Sequence, residues 1–384
     1  MTVTTATGPG ATRSTWASID LGALRSNYEL ARSLAGGREV IAVVKADAYG
    51  HGAGAVAGAL ARAGASRFAV ATIDEAAELR PSLADASMLV LGGVSSQAEA
   101  DAAVALRLVP VLHHEGQLEL AEKAASRAGV PLDVHVEIDT GMRRLGVPEP
   151  AAGDLLRRAG RSPSLRLEGV LTHFARADEA DPAHRLEPLS RFRAILAEAR
   201  GAGVTPPLVH VANSPALLAF HEIEAALPEQ NAVRPGLMLY GVRPAPHLTA
   251  ALAPVMTFRT TIVSLRPVGP GETVGYGGSY RAPRATRIAT LAVGYADGVP
   301  FALGNRGRVL LRGRRVPIVG RVSMDLVTID VGDAPAELGD EVILFGVGSS
   351  GTLPVEEVAD AAGTLAYEIL VRVGRRVPRR IVRD

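Results

Sequence analysis

An even succession of short β-type runs, separated by Ala-rich and helix-compatible segments, constrains the fold of this chain more than any other feature. Such alternation is typical of parallel strands joined by crossover helices. Two of the intervening segments, residues 53–63 and 115–128, stop at a glycine, as helices often do. Candidate strands begin near Val40, Arg67, Met88, Leu108, Leu132, Leu167, Leu208 and Ala232. Eight units predict an α/β fold with a closed (β/α)8 barrel, although an open doubly wound sheet fits many of the same windows.

The character of the sequence changes after Pro246, where strands rich in Val, Ile, Thr and Arg alternate with Gly-Pro turns. We therefore predict an N-terminal TIM-like barrel over residues 14–246 and a C-terminal mainly-β domain over residues 247–384. A flexible tail is expected over residues 1–13, which are rich in Thr, Gly, Ala and Pro. One helix-like insert, residues 355–362, interrupts the second domain.

A strand-like segment, residues 14–20, precedes the barrel and is expected to pair with the β domain. Asp20 at its end resembles the N-cap of a helix over residues 21–34, because a carboxylate can accept the unpaired N–H groups of a first helical turn.

Composition excludes several classes of function. With 41 basic and 40 acidic residues, the chain has no excess positive charge for nucleic acid or an anionic membrane. Cys is absent, which excludes disulfides, thiolate metal sites and cysteine nucleophiles. No apolar run is long enough to span a bilayer, and the first residues lack the apolar core of a secretion signal. We expect a cytoplasmic protein without a metal, acting on a small molecule.

Lys45 ends the first apolar run and precedes a loop that contains Tyr49 and two glycines. Desolvation lowers the pKa of an amine and leaves it neutral and nucleophilic toward carbonyl groups. Such a lysine is suited to Schiff-base chemistry. The alternative is a lysine that extends from a strand end into water.

Other polar residues follow the later strands, and barrel active sites form at the carboxyl ends of the strands. These residues are Arg144 after the fifth strand, His173 after the sixth, Asn213 and Ser214 after the seventh, and Arg234 after the eighth. Together with Lys45 they supply an amine, an imidazole, two guanidinium groups and a hydroxyl. We expect them to lie around one site.

In its ordered motifs the chain resembles alanine racemases, fold-type III enzymes that use pyridoxal phosphate (PLP). The similarity covers residues 16–379. The motifs are Ala42-Val-Val-Lys-Ala-Asp-Ala-Tyr-Gly-His-Gly52, His210-Val-Ala-Asn-Ser214, Arg234-Pro-Gly-Leu-Met-Leu-Tyr-Gly241, Val274-Gly-Tyr-Gly277, Gly294-Tyr-Ala-Asp-Gly298 and Gly320-Arg-Val-Ser-Met-Asp325. The resemblance implies interconversion of L-alanine and D-alanine by a two-base PLP mechanism that supplies D-alanine for peptidoglycan.

The resemblance implies that Lys45 holds PLP covalently and acts as base on one face of the substrate Cα, while Tyr276 serves the opposite face. A phenol normally titrates near pH 10, so this role requires nearby cations or a relay. His173 and Arg234 are the candidates. Without the motif order, a Tyr between glycines in a β domain is more often a packing or hairpin residue.

Further cofactor contacts are implied in the same way. Arg234 would face the pyridine nitrogen, with His210 hydrogen-bonded behind it, and His173 would stack against the ring. The phosphate would be bound by Tyr49, Asn213, Ser214, the backbone of Gly236 and Leu237, and Tyr367. Ser214 could equally be the N-cap of the helix that begins there.

For the substrate, the resemblance implies that Arg144 and the backbone of Met324 bind the carboxylate. Tyr276 and Met324 would come from the partner subunit, so a homodimer completes each site. Residues that match the entrance or support it are Tyr295, Arg321, Asp178 and Asp325.

The chain departs from the family pattern at Glu137, where many members carry a carbamylated lysine that steadies the substrate-binding arginine. We expect Glu137 to supply this carboxylate directly, without carbon dioxide. Phe301 replaces a common entrance arginine, which leaves substrate breadth open. The alternatives are a racemase of broader specificity for serine or lysine, a fold-type III decarboxylase, or a PLP carrier without catalysis. Arg234 disfavours the decarboxylase, and Tyr276 disfavours the carrier.

Overall fold

The computed structural model describes residues 13–382, so the predicted tail lies almost entirely outside the described residues. The strands of the first part are β1 (Trp16–Asp20), β2 (Glu39–Val43), β3 (Arg67–Val70), β4 (Ser87–Val90), β5 (Val109–Leu112), β6 (Leu132–Asp139), β7 (Val147–Pro148), β8 (Leu165–Leu171), β9 (Leu208–His210) and β10 (Ala232–Val233). Within this described part, eight strands pair in parallel in the order β5-β4-β3-β2-β10-β9-β8-β6, and β6 pairs back onto β5. The predicted (β/α)8 barrel is confirmed.

The barrel strands are joined mainly by helices. These are α1 (Leu21–Ala35), α2 (Lys45–Gly50), α3 (Ala53–Arg62), α4 (Ile73–Leu79), α5 (Gln97–Ala105), α6 (Glu115–Ala128), α7 (Glu149–Arg161), α8 (Ala183–Gly201), α9 (Ser214–Leu218) and α10 (Phe220–Ala226). Asp20 caps α1 by accepting hydrogen bonds from the backbone N–H groups of Gly22 and Ala23. At the carboxyl end of α6, Gly129 adopts a φ of +69°, a left-handed conformation that glycine takes without steric cost. No helix in residues 13–382 has the length and apolar character needed to cross a membrane.

The second part is mainly β, as predicted. Its elements are β11 (Met256–Val268), β12 (Thr273–Val274), β13 (Tyr280–Arg281), β14 (Thr286–Leu291), β15 (Arg308–Leu311), β16 (Arg314–Pro317), β17 (Val327–Asp330), β18 (Glu341–Gly348), β19 (Gly351–Leu353), α11 (Val355–Ala362), α12 (Ala366–Arg372) and β20 (Arg379–Val382). The long strand β11 is the centre of this domain, since it pairs antiparallel with β1, β14 and β18. The helix α12, which carries Tyr367, was not predicted from the sequence.

Two details of the β domain follow from local chemistry. The strands β15 and β16 form a hairpin through Arg312 and Gly313. Both loop residues have positive φ, +47° and +80°, which is the geometry of a tight two-residue turn. The strand β1 joins this domain and not the barrel, antiparallel to β11 and parallel to β20.

Asn27 ties the first barrel helix to the connection between the domains. Its buried side chain donates to the carbonyl oxygens of Leu239 and Ala253, at 3.1 and 2.8 Å, and accepts from the N–H of Ala253 at 2.9 Å. Asn27→Ala leaves these groups without partners, and each buried unpaired group costs about 1–3 kcal/mol. We expect the free energy of unfolding, measured by urea titration, to fall by about 3 kcal/mol.

The matched control is Ser26→Ala, one position earlier on the exposed side of the same helix. That substitution should change stability by less than about 0.5 kcal/mol. Equal urea midpoints for the two variants would contradict the role given to Asn27.

Candidate active site

Lys45 begins a left-handed turn at the carboxyl end of β2. Residues 46–49 have φ values between +52° and +54° with ψ values between +40° and +53°, although none is glycine. This conformation costs L-residues about 1–2 kcal/mol each. Backbone strain of this kind persists only where surrounding contacts enforce it, and it is concentrated at functional sites.

Two charged side chains from other elements hold this turn. Glu75 of α4 accepts hydrogen bonds from the N–H of Ala46 at 2.7 Å and from the N–H of Ala71 at 2.6 Å. Arg379 of β20 donates from Nε and a terminal nitrogen to the carbonyl of Gly50, at 3.0 and 2.8 Å. Both domains therefore fix the position of Lys45.

The Lys45 amine is partly exposed and makes no hydrogen bond or ion pair with any other residue in 13–382. Burial lowers its pKa, the positive charge of Arg144 lowers it further, and the carboxylates of Glu75 and Glu137 act in the opposite direction. A larger share of the amine is then neutral near pH 7 and able to attack a carbonyl group.

Arg234 follows β10 and is buried. One terminal nitrogen donates to Nδ1 of His210 at 2.8 Å and to the carbonyl of His210 at 2.6 Å, and the other donates to the carbonyl of Thr172 at 2.8 Å. Burial lowers the pKa of Arg234 to about 10, against the opposing charge of Glu137, so the guanidinium stays protonated near pH 7.

His173 follows β8 and lies beside Arg234, with 3.4 Å between its Nδ1 and a guanidinium nitrogen. Burial lowers the pKa of His173 to about 3, and the charges of Arg234 and Arg144 act in the same direction. The imidazole is therefore neutral near pH 7. It can stack or accept a hydrogen bond, but it does not supply a positive charge to a phenol.

Ser214 lies at the start of α9, but it is not the N-cap that we had considered. Asn213 is the N-cap, since its side chain accepts from the N–H of Ala216 at 3.2 Å. The hydroxyl oxygen of Ser214 accepts from the N–H groups of Gly236 and Met238, at 2.9 and 3.2 Å. Its own O–H remains as a donor for an anion.

The phenols of Tyr49 and Tyr367 lie beside the same loops. Their ring centroids are 6.1 Å apart, and neither hydroxyl is hydrogen-bonded to another residue in the described range. A Cβ added at Gly236 would lie 2.5 Å from the Tyr49 hydroxyl, so this approach requires glycine. Burial raises the pKa of Tyr367 to about 12, and the charge of Asp178 acts in the same direction, so its phenol keeps its proton.

Glu137 is buried at the end of β6, close to the cationic groups of the site. Burial raises the pKa of Glu137, and the charges of Arg234 and Arg144 act in the opposite direction. In the described chain no ion pair joins Glu137 to Arg144, which is exposed. The nearest ionisable partner is His113, whose Nδ1 lies 3.6 Å from a Glu137 oxygen.

The candidate residues of the β domain lie on its surface. Tyr276, Met324 and Tyr295 are 73%, 54% and 45% exposed, and Arg321 and Asp325 are exposed as well. No hydrogen bond, ion pair or ring contact among residues 13–382 joins Tyr276 or Met324 to the barrel site. The single chain therefore assembles the barrel half of the predicted site and presents the β-domain half outward.

Sequence reasoning missed two groups behind Arg234, the buried His135 and the half-buried Glu168. His135 contacts the far side of His210, and Glu168 contacts His135. The sequence contains one indication of this, since polar residues occupy every second position of the otherwise apolar strand β6.

The barrel groups fit a cofactor that carries an aldehyde, a ring nitrogen and a phosphate. Lys45 offers an amine without a competing partner, and Arg234 offers a fixed donor. Three hydroxyl groups, on Ser214, Tyr49 and Tyr367, are available to an anion. This set fits PLP.

The strain of the Lys45 turn can be tested with two Ala→Gly substitutions. Ala46→Gly should raise the free energy of unfolding by about 1 kcal/mol, because glycine adopts a left-handed conformation without the Cβ penalty. Ala55→Gly in the right-handed helix α3 should lower it by about 1 kcal/mol. Urea midpoints that move in the same direction would contradict the left-handed turn.

Comparison with known proteins gives one consistent result. Residues 19–244 match the family described as "Alanine racemase, N-terminal domain", and residues 255–381 match "Alanine racemase, C-terminal domain". The alanine racemase of Syntrophobacter fumaroxidans is 43% identical over 366 residues, which cover 94% of this chain and 95% of the relative.

Solved structures agree in fold over nearly the whole length. The biosynthetic alanine racemase of Pseudomonas aeruginosa superposes with a TM-score of 0.86 at 41% identity, over 97% of this chain and all of the other. The alanine racemase of Bartonella henselae, with covalently bound pyridoxal phosphate, has a TM-score of 0.86 at 30% identity, over 96% of this chain and 99% of the other.

Proposed function

The chain belongs to the alanine racemase family, and from this premise we propose how its own residues divide the work of the reaction. It interconverts L-alanine and D-alanine with PLP as cofactor and supplies D-alanine for peptidoglycan. The protein acts in the cytoplasm as a homodimer, and residues of both copies form each active site. One observation carries the proposal: the barrel contains an unpaired amine at Lys45, while Tyr276 lies 73% exposed on the other domain.

Cofactor binding falls to groups at the carboxyl ends of the barrel strands. Lys45 binds the aldehyde carbon through its amine, and Tyr49, Ser214, Tyr367 and the backbone near Gly236 bind the phosphate. Bound PLP supplies a conjugated ring that stabilises negative charge on the carbon that loses its proton. Three further residues at this end of the barrel would also contact the cofactor: Asn213, Leu237 and His173.

Arg234 controls the ring nitrogen by donating a hydrogen bond without giving up its proton. Its pKa of about 10 keeps the guanidinium charged near pH 7, so it would donate to the ring nitrogen of bound PLP without protonating it. A carboxylate at this position would stabilise a protonated ring nitrogen, and the ring would then draw more charge away from the reacting carbon. Arg234 thus favours return of the proton to the same carbon, as racemisation requires.

Two bases act on opposite faces of the substrate carbon. Lys45 Nζ removes or returns a proton on one face, and Oη of the partner subunit's Tyr276 acts on the other. This assignment requires a two-fold homodimer, because the outward-facing residues of one β domain must complete the barrel site of the second copy. Arg144 and the partner subunit's Met324 bind the substrate carboxylate, and Tyr295, Arg321, Asp178 and Asp325 line or support the entrance.

The assignment predicts complementation between two inactive variants. Lys45→Ala and Tyr276→Phe should each lose at least about a thousandfold in kcat, since each removes one base. After mixing and subunit exchange, half of the dimers contain both chains, and each of these has one intact site. Activity should recover to about a quarter of the unmodified enzyme, measured by chiral chromatography of alanine.

Tyr280→Phe is the control, because this tyrosine lies in the same β12–β13 hairpin as Tyr276 and its hydroxyl donates to Asp330. It should keep nearly full activity alone. If mixed Lys45→Ala and Tyr276→Phe proteins stay inactive after confirmed exchange, the two bases do not come from different chains.

Glu137→Gln tests the proposed role of this carboxylate near the cationic groups of the site. Because Glu137 balances the charges of Arg234, Arg144 and Lys45, its loss should lower kcat/KM at least about tenfold. The unmodified enzyme should show equal activity with and without added bicarbonate. Glu119→Gln on the exposed face of α6 should have no effect. An inert Glu137→Gln variant would refute the proposed role.

A further inference from the structure

Arg234 poses an electrostatic problem that its immediate contacts leave open. Its guanidinium is buried, and every acceptor within hydrogen-bonding distance is neutral: carbonyl oxygens and imidazole nitrogens. Among residues 13–382, no carboxylate forms an ion pair with it. A buried charge usually requires a counter-charge or a connected set of hydrogen bonds.

Such a set runs from Arg234 through the interior of the barrel. His210 Nδ1 contacts Arg234 at 2.8 Å, and His210 Nε2 lies 2.8 Å from His135 Nδ1. His135 Nε2 lies 3.3 Å from an oxygen of Glu168. Both histidines are almost fully buried, so water does not supply their partners.

The donors and acceptors in this series of hydrogen bonds can be assigned in only one order. A guanidinium has no acceptor, so His210 must accept at Nδ1 and carry its proton on Nε2. That proton is donated to His135, which must accept at Nδ1 and carry its own proton on Nε2. His135 then donates to Glu168, and both imidazoles are neutral.

Glu168 is the charged end of this series of hydrogen bonds. Its second oxygen accepts from Arg67 at 2.8 Å, a residue that begins β3. The hydrogen bond from His135, together with that from Arg67, lowers the pKa of Glu168 to about 2, against the effect of burial. The group is therefore ionised near pH 7 and aligns the two imidazole dipoles, so that the Nδ1 lone pair of His210 faces Arg234.

We propose that Glu168 is a positioning residue for Arg234 and acts through ordered protons on His135 and His210. The arrangement holds the guanidinium in one orientation without placing a carboxylate in direct contact with it. The Arg234 guanidinium therefore stays available to donate a hydrogen bond to the cofactor, because no direct ion pair competes for it. The inference rests on the proposed function of Arg234 at the ring nitrogen.

The proton order can be observed directly by neutron diffraction from a perdeuterated crystal of the PLP-bound enzyme. Deuterium should be present on Nε2, and absent from Nδ1, of both His135 and His210. A deuteron on Nδ1 of either residue would overturn the proposal. This measurement uses the unmodified chain and does not depend on any variant.

The functional consequence is tested with Glu168→Gln, which keeps the shape of the side chain and removes its charge. We expect kcat to fall about tenfold, the scale of one hydrogen bond to a charged group, with KM for alanine changed less than twofold. The matched control is Glu222→Gln, because Glu222 is also a barrel carboxylate, bonded to the buried Arg185 at 2.6 and 2.9 Å. It should leave kcat within twofold.

The outcomes separate this inference from the proposed function. Equal kcat for the two Gln variants would overturn the role of Glu168, whereas the complementation of Lys45→Ala by Tyr276→Phe would still stand. If the complementation fails, the two-base assignment fails. The proton order on His135 and His210 still decides whether Glu168 acts on Arg234 through the two imidazoles. If Glu168→Gln does not fold, as judged by circular dichroism, the neutron result alone supports or overturns the proposal.

Discussion

The burial of one positive charge, that of Arg234, is the interaction on which the rest of the structure depends. Arg234 itself follows β10, and its guanidinium joins this strand end to those of β8 and β9. It donates to the carbonyl of Thr172, which follows β8, and to both the ring and the carbonyl of His210 in β9. An unsatisfied buried charge costs several kcal/mol. These strand ends must therefore meet for the charge to be tolerated, and closure of the barrel and assembly of the site are the same event.

A second constraint joins the domains at Lys45. The left-handed turn after Lys45 is unfavourable by itself, and the carbonyl at its end, that of Gly50, is held by Arg379 from the last strand of the β domain. At the start of the turn, the Tyr240 hydroxyl donates to the carbonyl of Val43 at 2.9 Å. Because contacts from both sides enforce the strain, the barrel alone would not keep Lys45 in this position.

These two features also separate what the sequence could predict from what it could not. The barrel strands and the N-cap at Asp20 follow from periodicity and turn chemistry within short windows. The left-handed turn of residues 46–49 has no such indication, because its residues favour right-handed or extended backbone and only tertiary contacts override them. The pairing of His135 with Glu168 likewise depends on barrel closure, which brings together groups that are 33 positions apart.

The exposed surface of the β domain that carries Tyr295 and Met324 is anchored from below by a buried charge. Asp297 is fully buried beneath it, and its carboxylate is held by Arg13 and Arg376, each at 2.7 Å. The turn that ends at Asp297 donates backbone hydrogen bonds from Tyr295 and the next residue to the segment that carries Met324. Two loops are thereby fixed to one buried charge. Surfaces that are ordered before association lose less entropy on binding. In the proposed homodimer, this β domain would therefore meet a second barrel without rearrangement.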